Sequence, residues 1–333
     1  MVSNTLEAAP AVQERGQRHR AYAVVLEQPE QLSLKSLEID HPGPADIVIA
    51  TEWSAISTGT ERLLYKGQMP QFPGMGYPLV PGYEAVGRIT EVGAQAGTDL
   101  KVGQRVFVGG ARCYGEVRGL FGGACARLVV QASRAIPVPD HIGEKAVLLA
   151  LAATAYHALN LPGAQRTDLI IGHGVLGRLL ARIAALDPAR PVVVWENNPA
   201  RVHGAIGYTV IDAQQDTRRD YRSILDASGD SSLLDKLIGR LSPGGEIILA
   251  GFYSEPLHFA FAPAFMREAR LLIAAEWKPD DLRTVMELIT TGKLSLDGLI
   301  THRVPATEAT AAYRTAFGDP ACLKMVLDWR SLA

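Results

Sequence analysis

The stretch from Asp168 to Leu186 limits the possible folds of this chain more than any other. Asp168-Leu-Ile-Ile-Gly172 is an apolar run of strand length, and Val175–Ala184 carries apolar residues at helical spacing, so the glycines between them mark a strand-to-helix turn. The turn reads Gly172-His-Gly174-Val175-Leu176-Gly177, a GxGxxG fingerprint. Gly172 permits the tight turn, Gly174 lets backbone approach a pyrophosphate, and Gly177 lets the helix lie close on the strand. The free N–H groups at the helix start, around Val175 and Leu176, suit an anion. A glycine pattern alone is a weak signal. Its place between a strand and a helix gives it weight.

The next apolar run, Pro191–Trp195, ends in Glu196, 24 residues after Gly172 and about where a carboxylate holds an adenosine ribose. A negative charge there repels a 2′-phosphate, which favours NAD. Arg201, just beyond, is of the type that accommodates that phosphate, so NADP stays open.

A length of 333 residues predicts two domains. Residues 1–20 are polar and read as a flexible N-terminal tail. From 21 to 140, short β-type runs (Ala21–Leu26, Asp46–Trp53, Ala85–Val92, Arg105–Val108, Ala126–Val130) alternate with glycine and proline, as in an antiparallel barrel or sandwich. From 141 to 275 the pattern changes. A helix over Ile142–Leu159 and the fingerprint unit precede strands at Tyr208–Asp212, Arg222–Ala227 and Glu246–Ala250, the signature of a doubly wound parallel sheet. Residues 276–333 read as a return to the first domain.

Composition excludes several classes. A net charge of −2 leaves no basic excess for nucleic acid, and 47% hydrophobic with 20% charged residues describes an ordinary globular chain. Cys113, Cys125 and Cys322 show no paired spacing, which fits a reducing cytoplasm. No signal-peptide run and no apolar window of membrane-spanning length is expected. Weak association with a membrane surface stays open.

Several pieces then converge: Pro81-Gly-Tyr-Glu-Ala-Val-Gly87, Val102-Gly-Gln-Arg-Val106, Ala153-Thr-Ala-Tyr-His157, the glycine turn, and Leu241-Ser-Pro-Gly-Gly245. Together they resemble the medium-chain dehydrogenase/reductase superfamily over about residues 21–330. The resemblance implies an α/β protein, with a Rossmann sheet and a β-rich GroES-like barrel domain meeting at a cleft. It also implies that Thr154 and Gly251 join the cofactor-binding residues, and that a homodimer is a common arrangement.

The alcohol-dehydrogenase branch of that superfamily carries a catalytic zinc, and here the resemblance departs. Its three ligand positions fall on Ser57, Tyr83 and about Ala150, which do not make a tetrahedral zinc site. No metal is expected. Side chains must then steady the substrate oxygen. Tyr83 either donates to the developing oxyanion or fills the space of the lost ligand, Ser57, Thr58 and Thr60 are candidate proton relays, and His157 titrates nearest neutrality.

A narrower resemblance rests on Ser54-Ala-Ile-Ser-Thr-Gly-Thr-Glu-Arg-Leu-Leu-Tyr-Lys-Gly67, Met69–Glu84 and Val194-Trp-Glu-Asn-Asn198. These look like the dehydrogenases of bacteriochlorophyll biosynthesis that act on bacteriochlorophyllide. The resemblance implies oxidation of a 3-(1-hydroxyethyl) group on a magnesium tetrapyrrole to 3-acetyl, with NAD as acceptor. Met69, Phe72, Met75 and Tyr77 are of the type that lines a wide planar slot. The alternative is a zinc-free quinone or enoyl reductase of the same superfamily.

Overall fold

The computed structural model describes residues 19–71, 74–189 and 191–333. Phe72 and most of the expected tail lie outside them. His19 and Arg20 already belong to the first strand, His19–Gln28, which buries Ala21 and Ala23–Leu26 and pairs antiparallel with Gln31–Ile39. These two strands, with Leu79–Val80 and Arg118–Gly119, form a small four-stranded sheet.

A larger sheet forms the rest of the barrel. Its centre is Asp46–Ile56, a mostly buried strand whose backbone pairs antiparallel with Ala85–Val92, Arg127–Gln131 and, from the far end of the chain, Met325–Asp328. The last of these pairings carries the C-terminal segment onto the barrel. Gly87 sits where strands press together: a Cβ there would lie 2.2 Å from the Ala50 carbonyl oxygen.

The second body is a six-stranded sheet, parallel throughout. Its order is Thr209–Ile211, Val193–Trp195, Leu169–Ile171, Tyr221–Asp226, Leu241–Leu249, Arg270–Ile273. Numbered along the chain, that is 3-2-1-4-5-6, the doubly wound Rossmann order, which reverses between the fingerprint strand Leu169–Ile171 and Tyr221–Asp226. Ligands of such sheets bind beyond the carboxyl ends of the strands at that reversal. The protein is α/β, with a Rossmann-type sheet beside a β-barrel.

The two bodies share one core. Ala55, Val86 and Phe107 of the barrel join Ala146–Ala150, Ala153, Ile170 and Leu225 in a single cluster. Burying a leucine such as Leu148 or Leu149 contributes about 1.5–3 kcal/mol, and both are fully buried. The helical run Asp140–Leu159 is, against expectation, long and apolar enough by composition to cross a membrane. Its burial shows why it is apolar. It is the core helix at the junction, opened by a 3-10 stretch with Gly143 at φ 58° and continuing as the α-helix Leu149–Leu159.

Candidate active site at the domain junction

The glycine turn follows Ile171 directly. Gly172 has φ 93°, a conformation that side chains disfavour. A Cβ at Gly177 would stand 1.8 Å from the Gly172 carbonyl oxygen, so the helix Val175–Ala184 lies on the turn only because that atom is missing. At Gly174 a Cβ would meet nothing within 4 Å. That open side, beside the first free N–H groups of the helix, is shaped to receive a pyrophosphate. Gly251 follows the fifth strand of the sheet, with space for a Cβ closed by the Gly229 backbone at 2.8 Å. The cradle fits a dinucleotide.

Glu196 ends the neighbouring strand, and its carboxylate accepts the His173 N–H at 3.0 Å and the Asn198 N–H at 2.7 Å. It is thereby tied to the fingerprint turn. Arg201 is half-buried, and its Nε donates to the Pro320 carbonyl at 3.0 Å.

Across the junction, four separated segments meet in one polar group. Ser57 follows the central barrel strand, and its Oγ lies 2.8 Å from the Tyr83 hydroxyl. Thr60 stands beside the same phenol and slightly favours its ionised form. The Tyr83 ring packs on the shared core and meets Phe121 edge-on at 5.6 Å. Burial first, and then the nearby Glu84, hold the phenol well above its usual range. Tyr83 therefore stays a neutral hydrogen-bond donor at any physiological pH.

Beneath it lie two buried carboxyls. Glu61, in the first turn of the short helix Thr60–Lys66, accepts the Ser57 N–H at 2.9 Å and the Tyr313 hydroxyl at 2.6 Å. Burial outweighs those two bonds and raises it to about 7. Glu84 accepts from the Lys324 ammonium at 2.7 Å, with both side chains buried, and burial raises its pKa too. Its second oxygen, Oε1, has no hydrogen-bond partner among the described residues. None of Glu61, Glu84, Tyr313 and Lys324 is among the site residues expected from sequence. The available signal was a lysine between the apolar Leu323 and Met325 of a closing strand.

Other candidates fall elsewhere. His157 Nδ1 is 2.9 Å from Asp281, which also accepts the Lys278 N–H and so caps the helix Pro279–Thr290. Its bond ties two helices together rather than joining the hydroxyl group. Thr154 is half-buried and donates back to the Ala150 carbonyl at 3.0 Å. Thr58 is half-buried beside Ser57 and outside the hydrogen-bonded group. Met69 is buried in a barrel cluster with Leu26, Leu64, Leu79 and Leu120, so it is core rather than slot lining. Met75 and Tyr77 pack partly buried on that cluster, which Phe121 also joins, and the Tyr77 hydroxyl donates to the Leu64 carbonyl at 2.6 Å.

A zinc ion does not fit this donor set. The hydroxyl of Ser57 and the phenol of Tyr83 bond each other, Ala150 offers a methyl group, and tetrahedral zinc takes thiolate, imidazole or carboxylate.

A barrel joined to a 3-2-1-4-5-6 sheet, with hydroxyl side chains at their junction, defines an oxidoreductase of the medium-chain alcohol-dehydrogenase type. Residues 43–140 match the family model of the alcohol dehydrogenase GroES-like domain. The chain is 55% identical, over 94% of its length and 100% of the relative's, to the 2-desacetyl-2-hydroxyethyl bacteriochlorophyllide A dehydrogenase of Cereibacter sphaeroides. It is 54% identical to the Rhodobacter capsulatus protein of the same name, over 92% of this chain and 98% of the other. Among solved structures, an Escherichia coli alcohol dehydrogenase complexed with NADH superposes with a TM-score of 0.77 at 23% identity, covering 93% of this chain and 99% of that one. The chain belongs to the medium-chain dehydrogenase/reductase superfamily, in the same family within it as the Cereibacter and Rhodobacter proteins.

Proposed function

We propose that this chain oxidises the 3-(1-hydroxyethyl) group of a magnesium bacteriochlorophyllide or chlorophyllide to 3-acetyl, with NAD as electron acceptor, as a step of bacteriochlorophyll a biosynthesis. The observation that carries this reading is the 55% identity, end to end, with a relative named for that substrate. The Ser57–Tyr83 pair supports it by offering a chemistry.

Oxidation removes the carbinol C–H as hydride and the O–H as a proton, leaving a C=O bond. A bound nicotinamide supplies the two-electron hydride acceptor. The glycine turn seats the pyrophosphate, and Glu196 takes the adenosine ribose. Tyr83, neutral, donates to the substrate oxygen as negative charge develops there. Ser57, hydrogen-bonded to Tyr83, and Thr60 beside it pass the released proton to the ionised Glu61 carboxylate. Glu61 is the carboxyl of this group that changes charge near neutrality. Met75 and Tyr77 support the macrocycle face from the barrel side.

The Glu196 carboxylate, and the bond that draws Arg201 to Pro320, support NAD rather than NADP. The chain pairs with a second copy through the edge strand Arg270–Ile273, where Leu271 and Ile273 are exposed beside Phe261, Phe265 and Met266. It works in the cytoplasm, attached to membranes at most weakly.

Purified protein is incubated with the hydroxyethyl pigment and either NAD or NADP, with and without a chelator, while NADH and the pigment's long-wavelength band are followed. The band shifts with NAD and the chelator leaves the rate unchanged. A spectrum static with both nucleotides overturns the reading. Reduction of a conjugated quinone or enone by NADPH instead assigns the chain to the other zinc-free branch.

A further inference from the structure

The x position of the glycine turn is His173, which is fully buried. No step of the reaction above uses it. Its Nδ1 is 2.6 Å from the Arg201 carbonyl oxygen, and its Nε2 is 2.7 Å from the Tyr208 hydroxyl. A carbonyl only accepts, so Nδ1 carries the proton, and Nε2 accepts from Tyr208. Burial keeps the ring neutral, its pKa lowered to about 4. Arg178, on the fingerprint helix, adds Nε to the His173 carbonyl and Nη2 to the Arg201 carbonyl, both at 3.0 Å. Around the same turn, the His173 N–H reaches Glu196 and the Asn198 side chain accepts from the Ala200 N–H.

The loop that bears both Glu196 and Arg201 is thus stitched to the phosphate turn. Of the two, Glu196 disfavours a 2′-phosphate and Arg201 has the chemistry to welcome one. Arg201 is held by its carbonyl from two donors and by its side chain at Pro320. We propose that His173 is a positioning residue for cofactor choice: its Nδ1–H fixes the Arg201 backbone so that the guanidinium stays off the ribose 2′ position while Glu196 stays on it. This rests on the reading that the chain prefers NAD.

Two substitutions separate the two ring bonds. His173→Asn places an amide N–H near Nδ1 and keeps the donor to Arg201, whereas His173→Gln reaches Tyr208 and gives that donor up. Tyr208→Phe is a control: it removes only the bond at Nε2, and the Arg201 carbonyl still holds the imidazole proton on Nδ1. Calorimetry of the isolated protein with NAD and with NADP gives the ratio of dissociation constants, NADP over NAD.

His173→Gln lowers that ratio tenfold or more, whereas His173→Asn and Tyr208→Phe stay within threefold of wild type. Adding Arg201→Ala to His173→Gln restores the ratio. A merely structural role weakens both nucleotides together and leaves the ratio alone. A ratio within threefold of wild type in His173→Gln, or a ratio lowered tenfold in His173→Asn or Tyr208→Phe, overturns the inference. A wild-type ratio at or below one overturns the NAD reading itself, and the inference with it.

Discussion

The dinucleotide turn is made by six consecutive residues, whereas the hydroxyl group draws on Ser57 to Glu61, on Tyr83 and Glu84, and on Tyr313 and Lys324 near the end of the chain. The first is a backbone site: it works through missing Cβ atoms and free N–H groups, and local sequence specifies it. The second is a side-chain site that exists only once the closing strand Met325–Asp328 pairs with Asp46–Ile56. Backbone sites fail by steric clash, and side-chain sites fail by loss of one function with the fold retained.

The sharpest way to break this contrast is at the glycines. Gly177→Ala forces a Cβ to within 1.8 Å of the Gly172 oxygen. It is expected to destabilise the protein by about 3 kcal/mol or more, read by denaturant unfolding. Gly174→Ala, whose Cβ meets nothing within 4 Å, leaves unfolding unchanged. It lowers NAD affinity by roughly tenfold, because one methyl in the path of the pyrophosphate costs on the order of 1–3 kcal/mol. Equal unfolding midpoints for the two variants would show that close helix packing is not what Gly177 provides.

Next in size is a pH effect confined to the side-chain site. Glu61 is held at about 7 against an ordinary value of 4.5, so the fold favours its protonated form. Its contribution to stability is complete below the unfolded value and is lost as pH rises through about 7. Wild-type unfolding free energy is expected to fall across that window by on the order of 3 kcal/mol, and Glu61→Gln flattens the fall. Parallel curves for the two proteins would remove Glu61 as the titrating group.

The smallest effect is expected at His157. His157→Gln gives up the Nδ1 contact with Asp281 and about 1–2 kcal/mol of stability, while turnover stays close to wild type. A collapse in turnover without a loss of stability would bring His157 back into the proton path.

What could be read from sequence follows the same division. Ala85–Val92 and Arg105–Val108 are strands with the expected bounds, because buried β-branched residues there face a local partner. The edge strand Gln31–Ile39 was not anticipated: Lys35, Ser36 and Glu38 break its apolar alternation. The helix Phe261–Met266 carries an internal Pro263, which reads as a breaker. The strand-to-helix turn at Gly172 to Gly177, and the place of Glu196 beside it, were legible by spacing. His157 was misleading because its partner lies 124 residues away, and Met69 because an unbranched apolar side chain looks the same in a core as in a slot. The Lys324–Glu84 pair, 240 residues apart, leaves no local sign beyond a lysine set between Leu323 and Met325.

The central claim is that protein hydroxyls, without a metal, steady the oxygen of the alcohol being oxidised. Its most direct test is the single-turnover rate of Tyr83→Phe with saturating NAD and the hydroxyethyl pigment. Removing one such donor costs ~10²-fold or more in rate, and NAD affinity should remain that of wild type because the glycine turn is untouched. A rate within a few-fold of wild type would contradict the claim and leave Tyr83 as a ring that fills space against Phe121.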